Sequence, residues 1–110
     1  MTLTGKAKEE FEKWFANELE RTEQKLTELG RVHVVDEFYT RITESMQWGV
    51  YQDWADSLGY DVVTQASIEQ DKYWFTVWHQ DEHFNEEYFT TRQQARNAAV
   101  EKLNELINDQ

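Results

Sequence analysis

The sequence predicts an α+β fold, with N-terminal helices, a three-stranded antiparallel meander and a C-terminal helix (ααα-βββ-α). The helices are expected mainly on one face of the sheet. Apolar residues recur at helical spacing before residue 60 and after residue 91, and alternate with polar residues in between. The length of 110 residues suits a single domain, with 1–42 as a helical part and 43–110 as an αβββα part.

The first helix is predicted to run from an N-cap at Thr4 to Gly30, because glycine commonly ends a helix in the left-handed conformation. Its apolar residues recur at helical spacing: Ala7, Phe11, Trp14, Phe15, Leu19, Leu26 and Leu29.

Residues 31–42 fit either a short helix or a strand. Their apolar members are Val34, Val35, Phe38, Tyr39 and Ile42. The β-branched pair would suit a strand. A helix is favoured, because polar pairs separate the apolar residues with the wrong period for a strand.

A third helix is predicted between Ser45, its candidate N-cap, and Gly59, which would end it. Its apolar face is spaced by fours: Met46, Val50, Trp54 and Leu58. Gly49 inside the helix costs up to ~1 kcal/mol relative to alanine, so we expect a close packing contact or a break there.

Three short strands follow, joined by polar turns at 69–72 and at Asp81–Glu82. One face of the first strand carries Tyr60, Val62, Thr64, Ala66 and Ile68. In the second strand, Tyr73, Phe75 and Val77 alternate with Trp74, Thr76 and Trp78. In the third, Phe84, Glu86 and Tyr88 alternate with Asn85, Glu87 and Phe89.

The last helix is predicted to begin at Thr91. Thr91 and Gln94 have the spacing of a capping box. Its apolar stripe comprises Ala95, Ala98, Ala99, Leu103, Leu106 and Ile107. The small alanines are expected to let the first two turns approach the sheet closely.

The chain is strongly acidic, with a formal net charge of −11. Residues 60–90 carry seven acids and one base, which makes the predicted sheet its most negative part. Such a surface repels phosphate and steers basic partners, although a merely solubilising face is the alternative. With no cysteine and no apolar run of signal-peptide or membrane-helix length, we expect a cytoplasmic protein that does not bind membranes.

The two tryptophans of the second strand raise the question of a binding face. Trp74 and Trp78 occupy the face that helices should leave open, where polar residues are expected. Either the N-terminal helix covers them with Trp14 and Phe15, or they form an exposed patch that anchors a protein partner. In the second case the partner-binding residues are Trp74 and Trp78, with a polar rim of Asp81, Glu82, Glu86 and Glu87.

No catalytic motif is present: there is no cysteine nucleophile, Gly-x-Ser-x-Gly elbow, phosphate-binding glycine loop or His-Glu-x-x-His. His79 and His83 lie among the carboxylates of the second hairpin, but their spacing is a weak metal signal. We therefore expect no enzyme activity, no catalytic residues, no cofactor and no metal site.

The most distinctive segment of the chain is Ser45-Met46-Gln47-Trp48-Gly49-Val50-Tyr51. With it go Asp53-Trp54, Asp56-Ser57, Gly59-Tyr60, Thr4-Gly5-Lys6-Ala7-Lys8, Thr91-Arg92, Ala95-Arg96 and Ala99. Together these segments resemble a group of small uncharacterised proteins that phages and prophage-like elements of gut Bacteroidetes encode. The likeness covers residues 4–15 and about 43–107, and the proline that often precedes the Ser-Met-Gln segment is missing. It implies a phage accessory protein in bacterial cytoplasm, and no activity.

The α-β-β-β-α order of residues 46–107 also resembles a double-stranded-RNA-binding domain. Arg92 and Arg96 match the basic start of that domain's last helix. Because duplex RNA binding depends on neutralising phosphates, the acidic strands argue against strong RNA binding.

Two hypotheses about function therefore compete. In the first, the chain is a non-catalytic protein-binding domain that uses the exposed tryptophans. In the second, it mimics nucleic acid, presenting carboxylates to the basic groove of a host nuclease, defence protein or DNA-binding protein. A fold like that of double-stranded-RNA-binding domains, without strong RNA binding, is a third possibility. The partner's identity and the oligomeric state are not predicted.

Overall fold

The computed structural model describes residues 2–22 and 25–110, with the side chains of residues 86 and 87 outside the description. Its elements are α1 Gly5–Thr22, α2 Glu28–Arg41, α3 Glu44–Ser57, β1 Tyr60–Ser67, β2 Lys72–His79, β3 Glu82–Phe89 and α4 Arg92–Asn108. The strands form one antiparallel sheet in the order β1-β2-β3. The predicted α+β fold class is confirmed.

The boundary between α1 and α2 differs from the prediction. α1 ends at Thr22, and residues 23 and 24 of the predicted helix lie outside the described residues. Gly30 does not end a helix but is the third residue of α2, where its N–H donates to Thr27 Oγ1 over 3.0 Å. Thr27 starts α2 because its hydroxyl satisfies an amide that has no partner within the helix. The predicted helix over 31–42 is confirmed, although it starts earlier.

The start of α1 is capped from the other end of the chain. The Thr4 carbonyl accepts the first helical bond, from Lys8 N, at 3.2 Å. The Thr4 hydroxyl, however, accepts from Asn104 Nδ2 and does not cap the helix itself. Instead, Ala7 N donates to Asn108 Oδ1 over 2.8 Å. Two amide side chains of α4 therefore fix the N-terminal segment.

The third helix is confirmed, but its cap and its buried face differ from the prediction. Thr43 rather than Ser45 is the N-cap, since its extended backbone lets its hydroxyl accept from Met46 N. Met46 and Leu58 are 61% and 39% exposed, so of the face spaced by fours only Trp54 is fully buried. Gly49 is exposed and meets nothing closely, whereas Gly59, at φ +85°, ends the helix as predicted. The packed residues of α3 are Gln47, Trp48, Tyr51, Trp54 and Ala55.

The core lies between the helices and one face of the sheet, which we call the helix face. From the sheet it receives Tyr60, Val62, Phe75 and Val77. The predicted capping box of α4 is present, and Ala95 and Ala99 are fully buried where α4 packs on the sheet. α1 packs against the other helices, with Phe11 in contact with Phe38, Tyr51 and Trp54.

A bulge in β3 overturns the predicted alternation of that strand. Phe75 pairs with Glu86 but Tyr73 pairs with Phe89, so β3 holds one extra residue. Phe89 therefore reaches the helix face, where its ring stacks on Phe75, and Tyr88 moves to the opposite face. The first strand also ends earlier than predicted, at Ser67, since residues 68–71 form the turn.

Candidate functional site

The face of the sheet opposite the helices carries a shallow depression of about 600 Å³. Register places its residues on one side, because directly paired residues of antiparallel strands share a face. We call this surface the outer platform. Its lining residues are Gln65, Trp74, Thr76, Trp78, His83, Asn85 and Tyr88.

Two of the three large aromatic side chains of the outer platform are open to solvent. Trp78 is 46% exposed and Tyr88 is 58% exposed, while Trp74 is partly buried. Trp14 and Phe15 do not cover them, since both pack against the core on the helix side. The expectation that the N-terminal helix shields Trp74 and Trp78 is therefore wrong.

Contacts within the platform hold its side chains in place. Trp74 Nε1 donates to Gln65 Oε1 over 2.6 Å, and Thr76 Oγ1 donates to Asn85 Oδ1 over 2.7 Å. The Trp74 and Tyr88 rings meet edge to face at 5.5 Å. Such cross-strand pairs reduce the number of rotamers that a ligand would have to order.

The platform unites only part of the predicted partner-binding set. Trp74 and Trp78 lie together on it, and Asp81 is exposed in the β2–β3 loop. Glu82, however, pairs with His79, whose ring stacks on buried Tyr60, so register places Glu82 on the helix face. Its predicted position in the same rim as the tryptophans is wrong. The side chains of Glu86 and Glu87 lie outside the described residues.

Among the members of this surface that sequence reasoning missed are Asp61 and Tyr88. Asp61 is the cross-strand neighbour of Trp78, and Tyr88 joins Trp74 through the bulge. Strand alternation alone could have placed Asp61 on this face, but only the register shows its pairing with Trp78. No signal in the sequence marked the bulge.

The acidic residues of the sheet region whose side chains are described lie near its two ends. Glu69 and Asp71 lie in the β1–β2 turn, whereas Asp61 and Asp81 lie at the opposite end. The seven residue steps of β2 separate these ends by about 23 Å. On the outer platform itself, the charges among the described side chains are Asp61 at one end and Lys72 at the other, with Lys72 Nζ 4.7 Å from the centre of the Tyr88 ring.

The two histidines of the hairpin do not converge. His79 stacks on Tyr60 with ring centres 4.1 Å apart on the helix face, while His83 packs against Trp78 at 4.8 Å on the outer platform. Across the described residues, no group of three or more potential ligating side chains is positioned to hold a metal ion.

Arg92 and Arg96, the basic residues that led us to consider double-stranded RNA binding, lie against aromatic rings. The Arg92 guanidinium is 5.5 Å from the centre of the Tyr73 ring. That of Arg96 is 5.8 Å from Trp48, with Nη1 3.4 Å from Ser45 Oγ. Only Arg92 is exposed, so the two do not form an open basic surface.

A second depression, of about 500 Å³, lies among the helices. Its apolar lining is Phe15, Phe38, Ile42, Met46 and Val50. The sequence reading missed it because Met46 and Val50 were assigned to the packed face of α3. Its rings are less exposed than those of the outer platform: Phe38 is buried and Phe15 is partly buried.

The fold and its surface define an α+β domain with an aromatic face on an open sheet. No protein-family model matches the sequence, and no curated protein or solved structure shows significant similarity to it. Within the described ranges, none of the helices has the length and apolar character needed to cross a membrane.

Proposed function

We propose that this chain is a non-catalytic domain that binds a protein partner through the outer platform. The observation that carries the proposal is the exposure of Trp78, 46% of whose surface meets solvent beside Trp74 and Tyr88. Exposed aromatic clusters are uncommon on monomeric proteins and typical of interaction sites. Trp and Tyr also dominate the few residues that carry most interface energy.

The arrangement of the platform favours a binding role. The hydrogen bonds of Trp74 and Thr76 fix polar side chains between the rings, so little side-chain entropy remains to be lost on association. A mix of rings, amides and a hydroxyl also matches the composition of protein interfaces, which are rarely uniformly apolar.

Nucleic-acid mimicry is the alternative, and the charge distribution gives it less support. A mimic needs a row of carboxylates that follows the phosphate spacing of a duplex. Among the acids whose side chains are described, Glu69 and Asp71 lie at one end of the strands, and Asp61, Asp81 and Glu82 lie at the other. Direct RNA binding has the least support, because the net charge of −11 repels phosphates.

The proposed setting is that of an accessory protein in bacterial cytoplasm, encoded by a phage or prophage. This follows from the resemblance of the Ser45–Tyr51 segment and depends on it alone. Binding of a host protein or another phage protein would both fit.

Affinity capture from a Bacteroidetes lysate tests the proposal. Wild type is compared with the double variant Trp74→Ala, Trp78→Ala, with quantitative identification of captured proteins. We expect wild type to capture a partner that the variant captures at least about tenfold less. A tenfold loss corresponds to roughly 1.4 kcal/mol of binding free energy.

The matched control is Leu29→Ala, Val32→Ala, which removes apolar side chains 81% and 67% exposed on α2, away from the platform. It should retain the partner. Equal capture by all three proteins, with the double tryptophan variant folded by circular dichroism, contradicts a binding role for the platform.

A further inference from the structure

Several aromatic rings of this protein lie against its own lysine and arginine side chains. In the described part of the chain, four bases lie over rings: Lys72 on Tyr88, Arg92 on Tyr73, Arg96 on Trp48 and Lys102 on Phe84, at 4.7 to 5.8 Å. A ring face attracts a cation through its quadrupole, and tryptophan does so most strongly.

Trp78 is an exposed tryptophan that none of these cations covers. No lysine or arginine lies over its ring among the described residues, and 46% of the side chain is accessible. On the same platform, Lys72 already occupies Tyr88. On the platform, Lys72 therefore lies over the Tyr88 ring, whereas the Trp78 ring, which attracts cations more strongly, has no lysine or arginine over it among the described residues.

A carboxylate stands beside Trp78. Asp61 is its direct cross-strand neighbour, and at that position the Cβ atoms of two paired residues lie about 4.5–5.5 Å apart. Asp61 is exposed, and Asp81 lies in the loop at the same end of the sheet. His83 packs against one side of the Trp78 ring. A ring, a carboxylate and the overall charge of −11 all favour a positive group here.

We infer that the outer platform binds a basic segment of its protein partner, with a lysine or arginine side chain over Trp78 and its charge against Asp61. This inference rests on the proposed function and adds the chemistry of the partner. Arginine suits the position best, because its planar guanidinium stacks on a ring while donating to a carboxylate. Lys72 at the opposite end of the platform disfavours a second cation beside Tyr88.

The test is a fluorescence-anisotropy titration of the full chain with a labelled eight-residue peptide that contains three arginines separated by Gly and Ser. Two further peptides carry citrulline or glutamate at the arginine positions. Citrulline keeps the planar shape of arginine without its charge. We expect the arginine peptide to bind in low salt, its affinity to fall as salt rises, and the other two to bind at least about tenfold more weakly.

Single-residue variants distinguish a specific site at Trp78 and Asp61 from general electrostatic attraction to the acidic chain. Trp78→Ala should weaken the arginine peptide about tenfold and Asp61→Asn about three- to tenfold, whereas Trp78→Phe should retain part of the affinity. Asp36→Asn removes the same charge from an exposed position on α2 and should change the affinity less than twofold.

Equal losses in Asp61→Asn and Asp36→Asn, equal binding of the citrulline peptide, or no binding of the arginine peptide would overturn the inference. If the arginine peptide does not bind the platform but capture of the partner still depends on Trp74 and Trp78, only the basic-segment inference fails. If capture does not depend on those tryptophans, the proposed function fails as well.

Discussion

The backbone conformation of Gly5 lets the end of α4 approach and cap the start of α1. Its φ of +58° lies in the left-handed region, and a Cβ there would approach Asn108 Oδ1 to 3.3 Å, the atom that caps α1. Gly5→Ala should therefore lower the free energy of unfolding by about 1–2 kcal/mol, measured by urea denaturation.

Gly49 supplies the matched control for this substitution. It lies inside α3, and a Cβ built there meets no heavy atom within 4 Å. Gly49→Ala should raise the free energy of unfolding by about 0.5–1 kcal/mol, because alanine is the better helix former. Equal effects of the two alanines would show that backbone conformation at Gly5 has no special role.

The local capping box of α4 was predicted from the sequence, whereas the distant cap of α1 was not. Thr91 and Gln94 are three residues apart, so their reciprocal bonds follow from spacing alone. Asn104 and Asn108 cap α1 from about a hundred residues away, which no local pattern encodes. Ser45 and Thr43 are both reasonable caps by type, and only the backbone conformation distinguishes them.

At the scale of elements, Glu20 ties α1 to α2. Its Oε1 accepts from Arg31 Nη1 at 2.8 Å and from the Leu26 N–H at 3.2 Å. The hydrogen bond from Arg31, opposed in part by desolvation, lowers the pKa of this carboxyl from its ordinary value of 4.5. A lowered pKa means that the unfolded chain binds the proton more tightly, so the stabilisation is present above pH 4.5 and disappears as pH falls through the folded-state value.

Glu20→Gln should therefore be less stable than wild type at pH 7 and indistinguishable from it at a pH below the lowered pKa, by urea denaturation across pH 2–7. Glu101→Gln, at an exposed position on α4, is the matched control for the loss of one carboxylate. A stability difference that stays constant over the whole range would contradict the ionic link.

Periodicity predicted the type of every element but not all boundaries. The change from helical spacing to alternation near Tyr60 marked the start of the sheet, and β1 begins there. The gap between α1 and α2 was missed because Leu26 and Leu29 continue the helical period by coincidence, although Leu29 is 81% exposed. The bulge was missed because alternation carries no information about an extra residue in one strand.

At the scale of the molecule, the sheet has two unlike faces. The helix face is closed by the core, whereas the outer platform carries the exposed rings of Trp78 and Tyr88 beside the partly buried Trp74. Alternation along β2 predicted Trp74 and Trp78 on one side, but whether anything covered them depended on where α1 packs. Strand register likewise decided which acidic residues lie beside the tryptophans. It places Asp61 on the outer platform and Glu82 on the helix face.

The proposed binding role requires that Trp78 lies outside the core, on an open face of the sheet. Its most direct test compares the free energy of unfolding of Trp78→Ala with that of Trp54→Ala, a tryptophan only 1% exposed in the core. Trp78→Ala should cost no more than about 1 kcal/mol, the size of a cross-strand contact, and Trp54→Ala about 3–5 kcal/mol. Losses of the same size at both positions would mean that Trp78 is a core residue and that the outer platform is not an open binding surface.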